Sequence, residues 1–151
     1  MNFRLGELFS GPGGLAYGAI HAHSDDRKYT VSSEWANDYD CDSCLTHSRN
    51  IGGKVHFCDV RELDIDALGD IDAFAYGFPC NSFSSVGEHQ GLENEKFGQL
   101  YYYGVKVLQR YQPQWFIAEN VSGIRSAGDA LKVILRDLRD CGYRLNVNLY
   151  K

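Results

Sequence analysis

The stretch "FRLGELFSGPGGLAYGAIHA", Phe3 to Ala22, decides the fold. An apolar run through Phe9 reads as a strand, Gly11 to Gly14 as a tight turn, and Leu15 to Ala22 as a helix. Glycines let backbone approach a ligand closely, and the helix start offers free N–H groups. Alone, such a turn is equally consistent with a plain connection. Its G-x-G-G spacing is not the dinucleotide G-x-G-x-x-G.

The same alternation continues outward. "YTVSSEW" (29–35) reads as a second strand, with a helix through about 37–49. "KVHF" (54–57) is a third strand and "IDAFAYG" (71–77) a fourth. A long helix follows from about Lys96 to Tyr111, with apolar residues at 100, 101, 105 and 108. "QWFIAEN" (114–120) is a fifth strand. Residues 128–140 form an amphipathic helix with Leu131, Ile134, Leu135 and Leu138 on one face, and "YRLNVNLY" (143–150) begins a sixth strand. This pattern predicts an α/β fold, a doubly wound, mostly parallel sheet with ligands outside the carboxyl ends of the strands. A chain ending on that sixth strand leaves an open edge, so the sheet is expected to be incomplete at its C-terminal end.

At 151 residues the chain is one domain's length, and 44% hydrophobic against 23% charged residues marks it as globular. No run approaches the roughly 18 apolar residues of a membrane span, and "MNFRLGELF" lacks a secretory apolar core. A cytoplasmic protein, nucleoid-associated if prokaryotic, is the expectation. Five cysteines, an odd number, fit free thiols better than a disulfide framework. Cys41 and Cys44 form a lone C-x-x-C, and the five histidines are scattered, so no metal is expected. A net charge of −5 argues against this chain alone gripping nucleic acid strongly.

Chemistry-bearing residues fall at the strand ends. Glu34-Trp35 is read as closing the second strand, where an acid accepts from ribose hydroxyls and the indole stacks on an adenine; the plain alternative is a capping acid and a core tryptophan. Asp59 closes the third. Cys80, after Pro79, follows the fourth and precedes a polar stretch, 84–99, long enough for a lid. It is either a buried plug or a nucleophile. Glu119-Asn120 closes the fifth; burial of that strand would desolvate the carboxyl and suit it to proton transfer.

In this order the motifs resemble the cytosine-C5 DNA methyltransferase family: "LFSGPGGL", "SEW", "CDV", "GFPCNSFSSVG", "FGQLYYY" and "AENVSG". The resemblance implies a Rossmann-like, S-adenosyl-L-methionine-dependent fold. It implies that Phe9, Ser10, Gly11, Gly13, Gly14, Glu34, Trp35, Asp59, Val60, Pro79 and Leu100 shape the cofactor pocket, and that Ser84 and Val121 meet the substrate. It implies Cys80 as the nucleophile on C6 of a flipped-out cytosine in double-stranded DNA, with Glu119 at N3 and Asn120 beside it.

Glu7 stands where the family has Asp, Asn81 where it has Gln, and Phe78 where it has Gly or Pro. The family's Gln-x-Arg-x-Arg motif and target-recognition region are absent from residues 1–151. The chain is therefore expected to be the N-terminal part of a catalytic domain, working with a C-terminal half or second subunit. A tRNA cytosine methyltransferase, an inactive cofactor-binding relic and, from the architecture alone, a nicotinamide-dependent oxidoreductase are the alternatives.

Overall fold

Five parallel strands in the order β3-β2-β1-β4-β5 make the frame: β1 Asn2–Leu8, β2 Thr30–Asp38, β3 Lys54–Phe57, β4 Ala73–Gly77 and β5 Trp115–Glu119. The computed structural model describes residues 1–23, 25, 28–79, 100–126 and 129–150. Helices α1 (Gly14–His21), α2 (Cys41–Asn50), α3 (Leu100–Tyr111) and α4 (Ala130–Asp140) connect or follow the strands. The winding runs outward from β1 to β3, then resumes at β4 on β1's other side. Between β1 and β4 it reverses, and such a switch point opens a crevice at the carboxyl ends.

Strand period explains the two cores. In β4, Phe74 and Tyr76 enter one cluster, with Leu8, Trp35, Val105, Leu108, Ile134 and Leu138. Ala73 and Ala75 point to the other face, toward Leu5 and Ala16. Small side chains there admit α1 closely. On the opposite face Phe74, Tyr76 and Phe78 form a row of rings, with centroids 5.1 and 5.3 Å apart. Gly104 lets α3 sit on that row: a Cβ at 104 would lie 2.3 Å from the Tyr76 ring. The predicted helix periodicity holds here, because Leu100, Tyr101, Val105 and Leu108 are buried. In α4 the buried set is Ala130, Ile134 and Leu138, while Leu131 and Leu135 lie half-buried beside it.

Two sequence expectations fail. Residues 37 and 38 belong to β2 rather than to a helix. Residues 143–150 form no strand. Tyr143 packs edge-on against Phe116 of β5, with centroids 4.9 Å apart, and its hydroxyl donates to the Pro113 carbonyl at 2.6 Å. The segment therefore starts across the sheet rather than in its ladder. A cleft of about 1200 Å³ lies between β5, α4 and residues 142–150. Ile117 on β5 and Val147 and Leu149 opposite are exposed in it.

Candidate nucleoside and base site

The turn after β1 is built from unusual backbone. Phe9 (φ 54), Gly11 (φ 51) and Gly13 (φ 98) all take the left-handed region. Gly13 caps α1 without a side-chain hydrogen bond. A Cβ on Gly13 would come 2.8 Å from Ile51 Cγ1 and 2.9 Å from His47 Cδ2, so this position needs glycine for space as well as for φ. At Gly11 and Gly14 a Cβ would meet nothing within 4 Å, which leaves room on the solvent side of the turn. Ser10 is buried, and its N–H donates to the Asn37 carbonyl at 3.1 Å.

The acid that meets this turn is Asp38. Its Oδ2 accepts from Gly11 N–H at 2.8 Å and its Oδ1 from Asp40 N–H at 2.9 Å. Beside it Tyr39 is 74% exposed. Asp40 caps α2, accepting from Ser43 N–H at 2.8 Å, and the Ser43 side chain, with that N–H, draws its carboxyl below the usual range. Carboxylate, exposed ring and open glycine turn form one rim. That donor and acceptor set fits the ribose hydroxyls and flat base of a nucleoside.

Glu34 and Trp35 are not part of this rim. β2 continues to Asp38, so both lie in mid-strand. The register steps from Leu5↔Ser33 to Gly6↔Trp35, leaving Glu34 as the extra residue of a bulge. Trp35 is 1% exposed, packs beneath Gly6, and donates its indole N–H to the Gly69 carbonyl at 2.9 Å. Gly69 precedes β4, so the ring is tied toward the amino ends of the strands. A Cβ on Gly69 would also lie 3.1 Å from Glu34 Oε1. The assignment of Glu34 to ribose and Trp35 to adenine is therefore corrected. A buried ring cannot stack on a ligand, and its exposed counterpart is Tyr39. The signal was present in "NDYD": a cluster of turn residues marks a strand end, and an Asp marks the cap that follows.

The other expected residues reach the same end of the sheet. Asp59 follows β3 and is clasped by Arg61, with Nε at 2.9 Å and a second contact at 2.5 Å, which holds its carboxyl below the ordinary value. Val60 is buried in the main core. Pro79, half-buried, follows β4 and Phe78, and Leu100 opens α3 in the core. Cys80 and Ser84 lie outside the described residues.

At the end of β5, Asn120 donates from Nδ2 to the Phe78 carbonyl at 2.8 Å, and its Oδ1 accepts from Val121 N–H at 2.9 Å. Val121 is exposed. Glu119 pairs in register with Gly77, where a Cβ would lie 3.2 Å from Glu119 Oε2. Glu119 is exposed rather than buried, since β5 is the edge strand; the desolvation expected from the sequence is not supplied by the sheet.

Among the described residues no group of three or more His, Cys, Asp and Glu could hold a metal ion, and no helix is long and apolar enough to cross a membrane. The four described cysteines are free. Burial raises the thiols of Cys44, Cys58 and Cys141, which makes them weak nucleophiles.

Comparison with known proteins converges on one family. The model of the C-5 cytosine-specific DNA methylases matches residues 3–151. The type II methyltransferase M.BbvI of Brevibacillus brevis is 49% identical across 100% of this chain, which spans 45% of that protein. A structure described as a DNA modification methyltransferase encoded within a prophage (E. coli) superposes with a TM-score of 0.65 at 27% identity, over 93% of this chain and 38% of that one. The Dnmt2 methyltransferase of S. pombe shares the fold, with a TM-score of 0.62 at 21% identity over 91% of this chain and 41% of the other. The chain thus spans somewhat less than half the length of the relatives it matches, and it belongs to the C-5 cytosine-specific DNA methylase family, whose methyl donor is S-adenosyl-L-methionine.

Proposed function

We propose that this chain carries the cofactor-holding and base-attacking part of a DNA (cytosine-5-)-methyltransferase. The observation that carries the reading is the Asn120–Phe78 hydrogen bond. It joins the end of β5, with its Glu-Asn-Val sequence, to the residues that lead directly into Pro79 and Cys80. Two motifs distant in sequence are thereby tied across the ends of the neighbouring strands β4 and β5.

In this reading S-adenosyl-L-methionine supplies an electrophilic methyl group. The turn from Phe9 to Gly14, with Asp38, Tyr39, Asp59 and Val60, holds its nucleoside, and Pro79 and Leu100 flank its sulfonium end. Asp38 accepts from ribose hydroxyls while keeping the turn in place, and Tyr39 offers the flat apolar face. Cys80 as thiolate adds to C6 of an extruded cytosine. Glu119 delivers a proton to N3, so the electron pair driven onto the ring becomes available at C5. C5 would take the methyl group as the S–CH3 bond breaks and a thioether leaves, and C5 would then lose its proton to a water molecule or hydroxide acting as base. The returning pair expels Cys80, and N3 gives its proton back to Glu119. Ser84 and Val121 border the nucleic acid.

Double-stranded DNA as substrate, and a complementing segment carrying target recognition and a Gln-x-Arg-x-Arg motif, belong to the same reading. The net charge of −5 supports a division of labour in which the basic DNA-gripping surface lies on that segment. So does the apolar cleft beside the edge of β5 that no described strand pairs with.

The test uses this chain assembled with the complementing region of a relative. Incubation with S-adenosyl-L-methionine and DNA containing 5-fluorocytosine should give an adduct stable to denaturant, because fluorine cannot leave C5 as a proton. Mass mapping should place it on Cys80, and C80S should abolish it. An assembly that binds cofactor yet forms no adduct would overturn the nucleophile. An adduct with tRNA and not with DNA would change the substrate.

A further inference from the structure

Behind the glycine turn lies a buried pair that the reaction does not use. Glu7 of β1 is 2% exposed and His47 of α2 is fully buried. His47 Nε2 stands 3.3 Å from Glu7 Oε2, and the backbone N–H of Ala16, in the first turn of α1, helps to draw the same carboxyl down. His47 Nδ1 has no partner among the described residues. The ring is therefore fixed by a single polar contact, and the tautomer that satisfies Glu7 carries its proton on Nε2. Its Cδ2 edge lies under Gly13, the residue that caps α1 without a side-chain hydrogen bond.

These contacts form one chain of causes. A helix start has free N–H groups, and a side-chain acceptor at the cap ordinarily satisfies one of them. Gly13 cannot do this. Glu7 faces that turn from beneath, on the side of Ala16, and a buried carboxylate can stay there only while a donor faces its other side. His47 is that donor. It also sets how low Gly13 rests. Asp38 pulls the same turn from the other side through Gly11.

We propose that His47 is a positioning residue for the cofactor turn, acting through Glu7 on Ala16 and by contact on Gly13. This rests on reading residues 9–14 as the cofactor turn. Replacing the Nε2–H donor should release Glu7 from Ala16, loosen the first turn of α1, and weaken cofactor binding without touching the ligand.

The experiment is calorimetric titration of the full chain with S-adenosylhomocysteine, alongside amide hydrogen exchange at Ala16. His47→Met fills the space without a donor. His47→Gln returns an amide donor near the Nε2 position. H47M should bind about 10-fold more weakly, the scale of one lost hydrogen bond to a charged group, and should expose Ala16 to faster exchange. H47Q should recover to within about 3-fold of the native chain. If H47M does not fold, H47N takes its place, since its shorter amide matches Nδ1 instead. Equal affinity for H47M and the native chain would overturn the proposal. So would an H47Q as weak as H47M, which would make the effect one of shape. If the native chain binds no cofactor, the site reading fails. Ala16 exchange then still decides this proposal: unchanged protection in H47M overturns it, and lost protection regained in H47Q sustains it.

Discussion

Asp38 reaches across 27 positions of sequence to hold the Gly11 N–H at 2.8 Å. One side chain thus fixes the turn after β1 and stands at the carboxyl end of β2. Asp38→Asn keeps the size and an acceptor but removes the charge, and it should weaken S-adenosylmethionine binding by about 10-fold, the scale of a charged hydrogen bond. Glu34→Gln, four residues earlier in the strand, should stay within about 2-fold of the native chain. Calorimetry on both variants checks the reassignment, and a larger loss in E34Q than in D38N would reverse it.

Asn120 ties β5 to the Phe78 carbonyl. Asn120→Ala should leave cofactor affinity unchanged, because the contact is remote from the glycine turn. In the assembled enzyme it should lower the yield of 5-fluorocytosine adduct by at least about 10-fold, since misplacement near reacting groups is costly. Parallel loss of both properties would mean a general structural role.

Gly104 and Tyr76 interlock. Gly104→Ala places a Cβ 2.3 Å from the ring, and should destabilise by about 1–3 kcal/mol through overpacking. Tyr76 carries a buried hydroxyl with no partner among the described residues, and burial holds its phenol protonated. Tyr76→Phe removes that desolvated group and should be neutral or stabilising by up to about 1 kcal/mol. Denaturant titration of each variant measures both, and a strongly destabilised Y76F would reveal a partner for the hydroxyl.

Burial raises the Glu7 carboxyl above its ordinary 4.5, against the opposing pull of His47 and the Ala16 N–H, with Asp38 on β2 pushing the same way as burial. A group whose folded value is raised holds more protons folded than unfolded. Its contribution to stability is full below 4.5 and fades as pH rises through the folded value. Glu7→Gln should flatten that decline. Unfolding midpoints of native chain and variant between about pH 4 and about pH 8 test the sign; parallel curves would show that Glu7 is not its source.

Much of this was legible in the sequence. The alternation of periods 2 and 3.6 located five strands and four helices, because each buries one face. The glycine turn was legible because left-handed backbone demands glycine, at Gly11 and Gly13. The end of β2 was signalled by the turn residues of "NDYD" but misread, because Glu34-Trp35 resembles a strand end in composition and the bulge there interrupts the alternation that continues to Asp38. Exposure of Glu119 was also hidden, because strand order is a property of tertiary pairing and β5 lies at the edge. The pairing of Glu7 with His47 had no local signal, with 40 residues between them.

The bulge at Glu34 makes that residue spare length within β2. Deleting it would let Leu5 and Gly6 face consecutive partners and leave Trp35 inward and Asp38 at the rim. Deleting Ala36 would instead draw Asp38 back by one pleat and turn it to the opposite face, out of reach of Gly11. Between these neighbouring positions, a missing codon is harmless at one and disabling at the other.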